Sequence, residues 1–402
     1  MSAKFLTIGF VLFTLLASTR FFNPVNDAIF SNTEPVIIKP AADRPEVYLG
    51  LLRNKRVGLV INHTARVGEV LLPDYLVSNG IGVERIFAPE HGFRVDASAG
   101  EKVMDGIDPQ TGIQVVSLYG NVTKPTPLQL EGLDVLVFDI QDVGCRFYTY
   151  LSTLYLCMEA CAENGLPLIV LDRPNPNGDY IAGPMLDPKF SSFVGMVPVP
   201  VVHGCTLGEM ALMINGENWH KGPSKTNLTV IPVENYTHST LYEVPVAPSP
   251  NLPNHLAVRL YPSLCFFEAT TVSIGRGTPF PFQVVGGTLP HLGKFEFVPV
   301  NLPGIAVNPP NMNKTCFGVD LRELDEVPMF TLKWFLDFYH LYPAEKQFLQ
   351  SERTLQLLSG SDRLLANIRA GMTENEMVAL WQNDIDNYKV MRKKYLLYPD
   401  FE

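Results

Sequence analysis

Short apolar runs alternate with helical patterns over the first two hundred residues, and this alternation limits the possible folds more than any other feature. Runs rich in Val, Ile, Leu and Phe predict buried strands. They lie at residues 57–61, 83–87, 135–139, 168–171 and 193–200. Helical patterns lie between them at residues 72–79, 150–163 and 207–218. This order predicts an α/β fold, a Rossmann-like, doubly wound and mainly parallel sheet with helices on both faces.

A proline-rich stretch at residues 245–255 predicts a domain boundary, because proline fixes φ and removes a backbone donor. We assign residues 46–250 to the Rossmann-like domain and 251–402 to a smaller α+β domain. The second part is predicted to contain strands at 270–274 and 295–300 and two or three helices within 332–396.

The N-terminus has the pattern of a secretory signal. Lys4 precedes an apolar run at 5–16, and Ala17, Ser18 and Thr19 offer small residues for cleavage. We expect residues 1–20 to be a signal peptide and 21–45 a tether, which predicts a secreted or periplasmic protein. The run is short for a membrane span, although an uncleaved anchor stays open, and no other membrane association is expected.

Composition excludes several kinds of partner and cofactor. The formal net charge is −10, and the longest basic run is a triplet at 392–394, so nucleic-acid binding is not expected. Gly-x-Gly-x-x-Gly and Walker A patterns are absent, as are clusters with metal-ligand spacing. We therefore expect no cofactor and no metal. The six cysteines lie mostly in apolar segments and are predicted to be buried free thiols.

Glu90 and His91 follow the strand 83–87 directly after Pro89. Open parallel sheets bind ligands outside the carboxyl ends of their strands, so both residues are candidates for catalysis. The alternative is a salt-bridged or capping pair at the end of a strand.

The strand 135–139 leads into a second polar run. Asp139 and Asp142 are further candidates for catalysis, because acids at a strand end can act as a general acid or bind sugar hydroxyls. Arg146 and Tyr148 follow as candidates for substrate binding. Helix capping by either aspartate is the alternative.

Other strand ends supply more candidates for substrate binding. The polar groups of Asn, Asp and Arg suit recognition of hydroxyls, amides or carboxylates. The set consists of Asn62, Asp172, Arg173, Asn175, Asn177 and His203. Thr206 and Glu209 form a Thr-x-x-Glu pattern, which favours a capping box over a catalytic role for Glu209.

The second part of the chain offers Glu268 as its best acid and Arg276 between two glycines. Such glycines let the backbone approach a neighbour closely, and we expect that neighbour to be an acidic group of a substrate. The alternative is that Glu268 and Arg276 pair with each other.

A cleft rich in carboxylates, Arg, Asn and Tyr fits glycoside hydrolysis, which commonly uses two carboxyl groups. Two other classes stay open: a non-catalytic glycan-binding protein that uses the same cleft, and an amidase or esterase with a Ser or Cys nucleophile. No Gly-x-Ser-x-Gly elbow supports the serine version.

The chain resembles the exo-β-N-acetylmuramidase family of the NamZ type, formerly a domain of unknown function. The similarity covers about residues 50–402. The matching runs lie at 57–64, 87–94, 99–101, 117–120, 137–144, 146–150, 171–178, 203–204, 249–253, 261–265, 275–278, 308–310, 318–322 and 394–401.

The resemblance implies a Rossmann-like domain, a smaller C-terminal domain and a cleft between them. It implies release of terminal β-1,4-linked N-acetylmuramic acid from the non-reducing end of peptidoglycan fragments, with muropeptides and disaccharides as partners. The key acid of the family falls on Glu90. The second group, Asp139, Asp142 or Glu268, stays open, as do retaining, inverting and substrate-assisted mechanisms. We expect Arg276, before Arg146 or Arg173, to bind the lactyl carboxylate.

Overall fold

A computed structural model describes residues 37–90, 92–93 and 105–402. The strands are β1 (Arg56–Ile61), β2 (Arg66–Val67), β3 (Val70–Leu71), β4 (Gly82–Ala88), β5 (Gly106–Ile107), β6 (Gln114–Ser117), β7 (Val135–Asp139), β8 (Leu168–Leu171), β9 (Ala182–Met185), β10 (Pro200–Val202), β11 (Leu228–Ile231), β12 (Val284–Gly287), β13 (Phe295–Phe297) and β14 (Cys316–Asp320). The helices are α1 (Pro45–Leu52), α2 (Leu72–Ser78), α3 (Pro127–Leu130), α4 (Tyr150–Asn164), α5 (Leu207–Gly216), α6 (His255–Leu264), α7 (Lys333–Leu341), α8 (Glu345–Phe348), α9 (Glu352–Ser359), α10 (Arg363–Arg369) and α11 (Glu374–Arg392).

The central sheet of the described residues has seven strands in the order β11-β8-β7-β1-β4-β6-β5. All neighbours are parallel except β5, which pairs antiparallel with β6. The chain moves outward from β1 through β4 to β6, then returns to β7 beside β1 and continues outward on the other side. Strand order therefore reverses between β1 and β7, and ligands of such folds bind at this end of the sheet.

The two faces of the sheet alternate along each strand, as a period of two residues requires. In β1, Leu59 and Ile61 pack into a cluster with Tyr48 of α1 and Leu76 of α2. Val60 points the other way, into the cluster that contains most of α4. Because both faces are covered, the strands are continuously apolar, which is why the sequence identifies them well.

The smaller C-terminal part contains a three-stranded antiparallel sheet in the order β12-β14-β13 and the helices α7 to α11. Residues 38–402 form one compact unit. The largest hydrophobic cluster joins Val60 and Phe138 of the parallel sheet to Phe338 and Tyr388 of the C-terminal helices. The predicted boundary at residue 250 stays a prediction.

The α/β fold with a smaller second part is confirmed, and so are the first four predicted strands and the three predicted helices, within one to two residues. The capping box of Thr206 and Glu209 is confirmed at the start of α5. All six cysteines are buried and free, as predicted.

Several predicted elements are wrong. Residues 193–200 are not a strand: Ser192 and Gly195 close a tight turn, and β10 begins only at Pro200. Residues 270–274 make isolated bridges, and β13 ends at Phe297, two residues before Pro299, which has no N–H to donate. The stretch 332–396 is described throughout and contains five helices rather than two or three.

Within the described ranges, no helix combines the length and the apolar character needed to cross a bilayer. The predicted signal peptide and most of the predicted tether lie outside the described residues.

Candidate active site

A pocket of about 260 Å³ opens beside the carboxyl ends of β4 and β6, where the parallel sheet meets the C-terminal part. Its lining comes from the residues after β4 and β6, the loop that leads into α4, residues 193–194, several segments between residues 249 and 282, and Leu358 of α9. The lining residues are Glu90, Tyr119, Phe147, Tyr148, Thr149, Tyr150, Phe193, Val194, Ser249, Asn251, Leu252, Tyr261, Cys265, Glu268, Arg276, Phe282 and Leu358.

Glu90 lies in this pocket, directly after β4. β4 ends at Ala88, and a turn closes behind it, with the Gly92 N–H donating to the Pro89 carbonyl at 3.1 Å. The Tyr119 hydroxyl donates to Oε1 of Glu90 at 2.9 Å, and the Thr149 hydroxyl donates to Oε2 at 3.3 Å. Both carboxylate oxygens of Glu90 are therefore fixed by hydroxyl groups from other elements.

Burial and the nearby Glu90 carboxylate raise the pKa of Tyr119 well above its ordinary value. Burial, and after it the Glu90 carboxylate, also raise the pKa of Tyr150. Tyr150 also donates to the backbone carbonyl of Glu90, at 3.5 Å. Both tyrosines consequently keep their protons at neutral pH and act as hydrogen-bond donors around Glu90.

Glu268 and Arg276 form an ion pair in the same pocket. The Arg276 guanidinium also lies over the ring of Phe282, 5.2 Å from its centroid. Gly275 and Gly277 both have φ of +80°. A Cβ on Gly275 would lie 2.7 Å from the Phe280 carbonyl oxygen, and one on Gly277 would lie 2.5 Å from that of Val300. The glycines around Arg276 thus let the backbone approach other backbone. The expected contact of Arg276 with a substrate acid stays a prediction.

A chain of aromatic contacts runs through the lining of the pocket. Tyr150 contacts Tyr148 edge-to-face at 4.9 Å, Tyr148 contacts Tyr261 at 5.7 Å, and Tyr261 contacts Phe282 at 5.1 Å. Aromatic rings and a few charged groups in one small pocket are the usual means of binding a sugar ring and orienting it.

Of the predicted site residues, Glu90, Glu268, Arg276 and Tyr148 line this pocket together. His91 lies outside the described residues. The remaining candidates, Asn62, Asp139, Asp142, Arg146, Asp172, Arg173, Asn175, Asn177 and His203, do not line it. The predicted roles of all these residues stay predictions, but their positions differ sharply.

Asp139 and Arg173 are buried and pair with each other, Nε to Oδ1 at 2.5 Å and Nη2 to Oδ2 at 2.9 Å. Burial raises the pKa of Asp139, and the Arg173 guanidinium opposes that shift. Asp142 is also buried. Its Oδ1 accepts the Gly144 N–H at 2.7 Å, and burial raises its pKa to about 7.

Arg146 is completely buried, and its guanidinium donates to the backbone carbonyls of Pro184, Val199 and Leu358 at 2.7–3.0 Å. It therefore ties the β9–β10 hairpin to the end of α9. Burial lowers its pKa to about 9.

Asp172 accepts hydrogen bonds from Thr206, Tyr398 and the Gly208 N–H, and burial raises its pKa to about 6. It thereby connects β8, the start of α5 and the C-terminal segment.

The side chains of the other polar candidates form hydrogen bonds with residues of neighbouring loops. The Nδ2 groups of Asn175 and Asn177 donate to the carbonyls of Cys205 and Val143, both at 2.8 Å. Oδ1 of Asn62 accepts from Thr64. Nδ1 of His203 accepts the Cys205 N–H at 3.2 Å, and burial lowers the pKa of His203 to about 3.

The sequence patterns did not single out Tyr119, Thr149 or Asn251, although all three line the pocket. Each lies in a run that carries the family resemblance, at 117–120, 146–150 or 249–253. That resemblance was the only available signal, because hydroxyl and amide residues have no spacing rule of their own. Among the described residues, no group of three or more His, Cys, Asp or Glu side chains could hold a metal ion.

Comparison with known structures supports the fold over nearly the whole chain. A crystal structure of a DUF1343 family protein from Bacteroides fragilis NCTC 9343 is 43% identical, with a TM-score of 0.83, and covers 91% of this chain and 100% of that one. A second DUF1343 family protein from the same strain is 28% identical, with a TM-score of 0.77, and covers 90% and 99%.

Sequence comparison identifies the family. The peptidoglycan beta-N-acetylmuramidase NamZ of Bacillus subtilis (strain 168) is 34% identical over 96% of this chain and 99% of its own length. The family model for the N-terminal part of exo-beta-N-acetylmuramidase NamZ matches residues 57–256, and that for the C-terminal part matches residues 259–398. The chain therefore belongs to the exo-beta-N-acetylmuramidase NamZ family.

Proposed function

We propose that this protein is an exo-acting glycosidase that releases terminal β-1,4-linked N-acetylmuramic acid from the non-reducing end of peptidoglycan fragments. Its family and its curated relative support this activity. The observation that carries the proposal is that the carboxyl groups of Glu90 and Glu268 line one pocket. Most glycoside hydrolases place two carboxyl groups beside the bond that they cleave.

In this mechanism Glu90 donates a proton to the glycosidic oxygen. The Tyr119 and Thr149 hydroxyls hold its carboxyl group in one orientation. Hydroxyl oxygens also accept hydrogen bonds, so the same two residues can hold Glu90 in its protonated form. A fixed orientation matters because proton transfer requires the acid within hydrogen-bond reach of the departing oxygen.

Glu268 is our choice for the second carboxyl group. Asp139 is paired with Arg173, and neither Asp139 nor Asp142 lines the pocket. Glu268 forms an ion pair with Arg276 in the pocket, where a carboxylate stabilises positive charge as the sugar approaches an oxocarbenium ion. Within the described part of the chain, the Arg276 guanidinium donates one hydrogen bond, to Glu268. Its other N–H groups can therefore bind the lactyl carboxylate.

The size of the pocket supports exo action on one terminal sugar. Its volume of about 260 Å³ lies just below the roughly 300–1,000 Å³ of typical small-molecule sites. Disaccharides and muropeptides derived from peptidoglycan are the substrates that we propose, with the terminal sugar in the pocket and the remainder outside.

Glu90→Gln tests the proposal directly, because it keeps the shape of the side chain and removes the acid. We expect kcat on a chromogenic β-N-acetylmuramide to fall by about 10²–10⁴-fold. Glu84→Gln is the matched control, since Glu84 lies on β4, the strand that precedes Glu90, and is exposed and outside the pocket lining. Normal turnover by the Glu90 variant would refute the assignment.

Binding measured on the same proteins separates an enzyme from a non-catalytic glycan-binding protein. We expect Glu90→Gln to bind N-acetylmuramic acid nearly as tightly as the wild type does. Both should prefer it to N-acetylglucosamine, which lacks the lactyl carboxylate. A wild-type protein that binds with this preference but cleaves no muramide would favour the binding function instead.

A thiol hydrolase is disfavoured by the state of the cysteine in the pocket. Cys265 is the lining cysteine among the six, and burial raises the pKa of its thiol well above the ordinary value. The thiolate, not the thiol, is the nucleophile. Activity that disappears in Cys265→Ala with an unchanged melting temperature would reopen this class.

We also infer export of the chain, since residues 1–20 have the pattern of a signal peptide and peptidoglycan lies outside the cytoplasmic membrane. N-terminal sequencing of the mature protein tests this inference, and a protein that retains Met1 in the cytoplasm would contradict it.

A further inference from the structure

Asn251 has one side-chain atom that the fold leaves without a partner. The residue is 3% exposed and lines the pocket. Its Nδ2 donates to the Ile305 carbonyl at 3.0 Å, whereas its Oδ1 is buried and has no hydrogen-bond partner among the described residues. Burying an amide oxygen without a donor is unfavourable, so such an atom in a pocket indicates a place where a ligand supplies the donor.

The orientation of this amide is determined by its neighbours. A carbonyl oxygen only accepts hydrogen bonds, so the nitrogen of Asn251 must face Ile305 and the oxygen must face away. Ile305 lines a separate hollow with Pro250 and Pro253, outside the lining of the active-site pocket. Asn251 itself lines the active-site pocket, and its nitrogen is bonded to a residue of this other hollow.

The backbone around Asn251 is also fixed. The Leu252 N–H donates to the Ser249 carbonyl at 3.0 Å and closes a tight turn, with a proline at 250 and another at 253. The opposite loop is closed by two bonds between Leu302 and Ala306, at 3.0 and 2.8 Å. A side chain held between two closed turns is preorganised, which is what a specific contact requires.

The lining of the pocket also offers a hydrogen-bond acceptor and apolar surface. Tyr148 gives its hydroxyl proton to the Pro248 carbonyl at 3.0 Å, so towards the pocket it offers lone pairs. Leu252, Tyr261 and Phe282 supply apolar surface in the same lining. A group that combines a donor with a small apolar end matches this surface.

We propose that Oδ1 of Asn251 accepts the N–H of the substrate acetamido group, and that Asn251 selects N-acetylated sugars. This inference rests on the proposed function for the identity of the sugar. An amide N–H only donates, which matches an oxygen that only accepts, and the acetyl methyl group fits the apolar side chains beside it.

The experiment compares two chromogenic β-muramides, one with the 2-acetamido group and one with a 2-O-acetyl group that keeps the carbonyl and the methyl but has no N–H. In the wild type the amide should be preferred. Asn251→Leu should lower kcat/KM for the amide by on the order of tenfold and leave the ester nearly unchanged. Asn251→Asp keeps an acceptor and should retain the preference for the amide, even if the lost bond to Ile305 weakens both substrates.

Asn254→Ala is the control for a merely structural effect. Asn254 caps α6 from the same loop and lies outside the pocket lining, so its loss should lower the melting temperature without changing the ratio of amide to ester. Equal losses for both substrates in Asn251→Leu would overturn the inference.

Binding of the matching reducing sugars, measured by calorimetry, distinguishes this inference from the proposed function. A wild type that hydrolyses neither muramide but prefers the acetamido sugar, with the preference lost in Asn251→Leu, would refute the glycosidase and retain the role of Asn251. Equal affinity for the two sugars in the wild type would refute the role of Asn251.

Discussion

Two groups of acids at the same end of the parallel sheet differ in how the fold uses them. Glu90, after β4, is partly exposed and is held by two hydroxyl groups in a pocket. Asp139 and Asp142, at and after β7, are buried, and Asp139 is paired with Arg173. The same position relative to a strand thus produces either an accessible acid or an internal support.

The loops that follow each strand account for the difference. After β7 the chain remains inside the protein, with the Gln141 N–H donating to the Thr64 hydroxyl at 2.9 Å between the ends of β7 and β1. After β4 the chain turns at Pro89, and Tyr119, from beyond the neighbouring strand β6, contacts the carboxylate from the side. A strand end indicates where chemistry can occur, and the covering loops decide whether a substrate reaches it.

Asp139→Asn is the strongest test of whether Asp139 is an internal support or, like Glu90, an acid of the active site. Removing the charge leaves Arg173 buried without its counter-ion, which typically costs about 3–5 kcal/mol of stability. We expect a lower midpoint in urea unfolding and a kcat, per folded molecule, within about threefold of wild type. A kcat that falls as far as in Glu90→Gln, at unchanged stability, would make Asp139 the second catalytic carboxyl group in place of Glu268.

Asp142→Asn tests, through the pH dependence of stability, whether Asp142 is a buried acid. The folded-state pKa of Asp142 is about 7, against roughly 3.9 in an unfolded chain. Between those two values the folded protein binds more protons than the unfolded chain, so the wild type loses stability as pH rises from about 4 to 7.

The asparagine variant has no such carboxyl group and should escape that loss, which amounts to at most about 4 kcal/mol. Its stability relative to wild type should therefore increase from pH 5 to pH 8 in urea titrations. A difference in stability that does not change with pH would show that Asp142 is not buried as a titrating acid.

Sequence patterns were sufficient for the sheet and insufficient for the site. The central strands are apolar on both faces, so β1, β4, β7 and β8 can be located from local composition. The run 193–200 has a similar composition, yet its two prolines and the turn at Ser192 to Gly195 prevent a strand over that range. Local apolar content does not reveal where the backbone donors are satisfied.

The site depended on contacts that are distant in sequence. Glu90 was found because the pattern of strand, proline and acid is local, and Arg276 because glycines flank it. The partner of Glu90, Tyr119, lies 29 residues away, and Asn251 belongs to a loop of the other half of the chain. Asp139 and Arg173 fit the sequence pattern of a functional site equally well. They lie 34 residues apart in the chain, and only the structure shows that they pair with each other in the interior.

Tyr119→Phe is the mildest test of how Glu90 is held, because it removes one hydroxyl and leaves the ring. A typical hydrogen bond contributes about 0.5–1.5 kcal/mol net, and Thr149 still holds the other oxygen of Glu90, so we expect kcat to fall by about two- to tenfold with little change in KM. Tyr155→Phe is the matched control, since the Tyr155 hydroxyl donates to the Trp219 carbonyl at 2.9 Å outside the pocket lining. Equal effects of the two substitutions on kcat would mean that the Tyr119 hydroxyl supports the fold and does not position the acid. The hydrogen bonds of Glu90 would then serve the fold, as those of the buried acids Asp139 and Asp142 do.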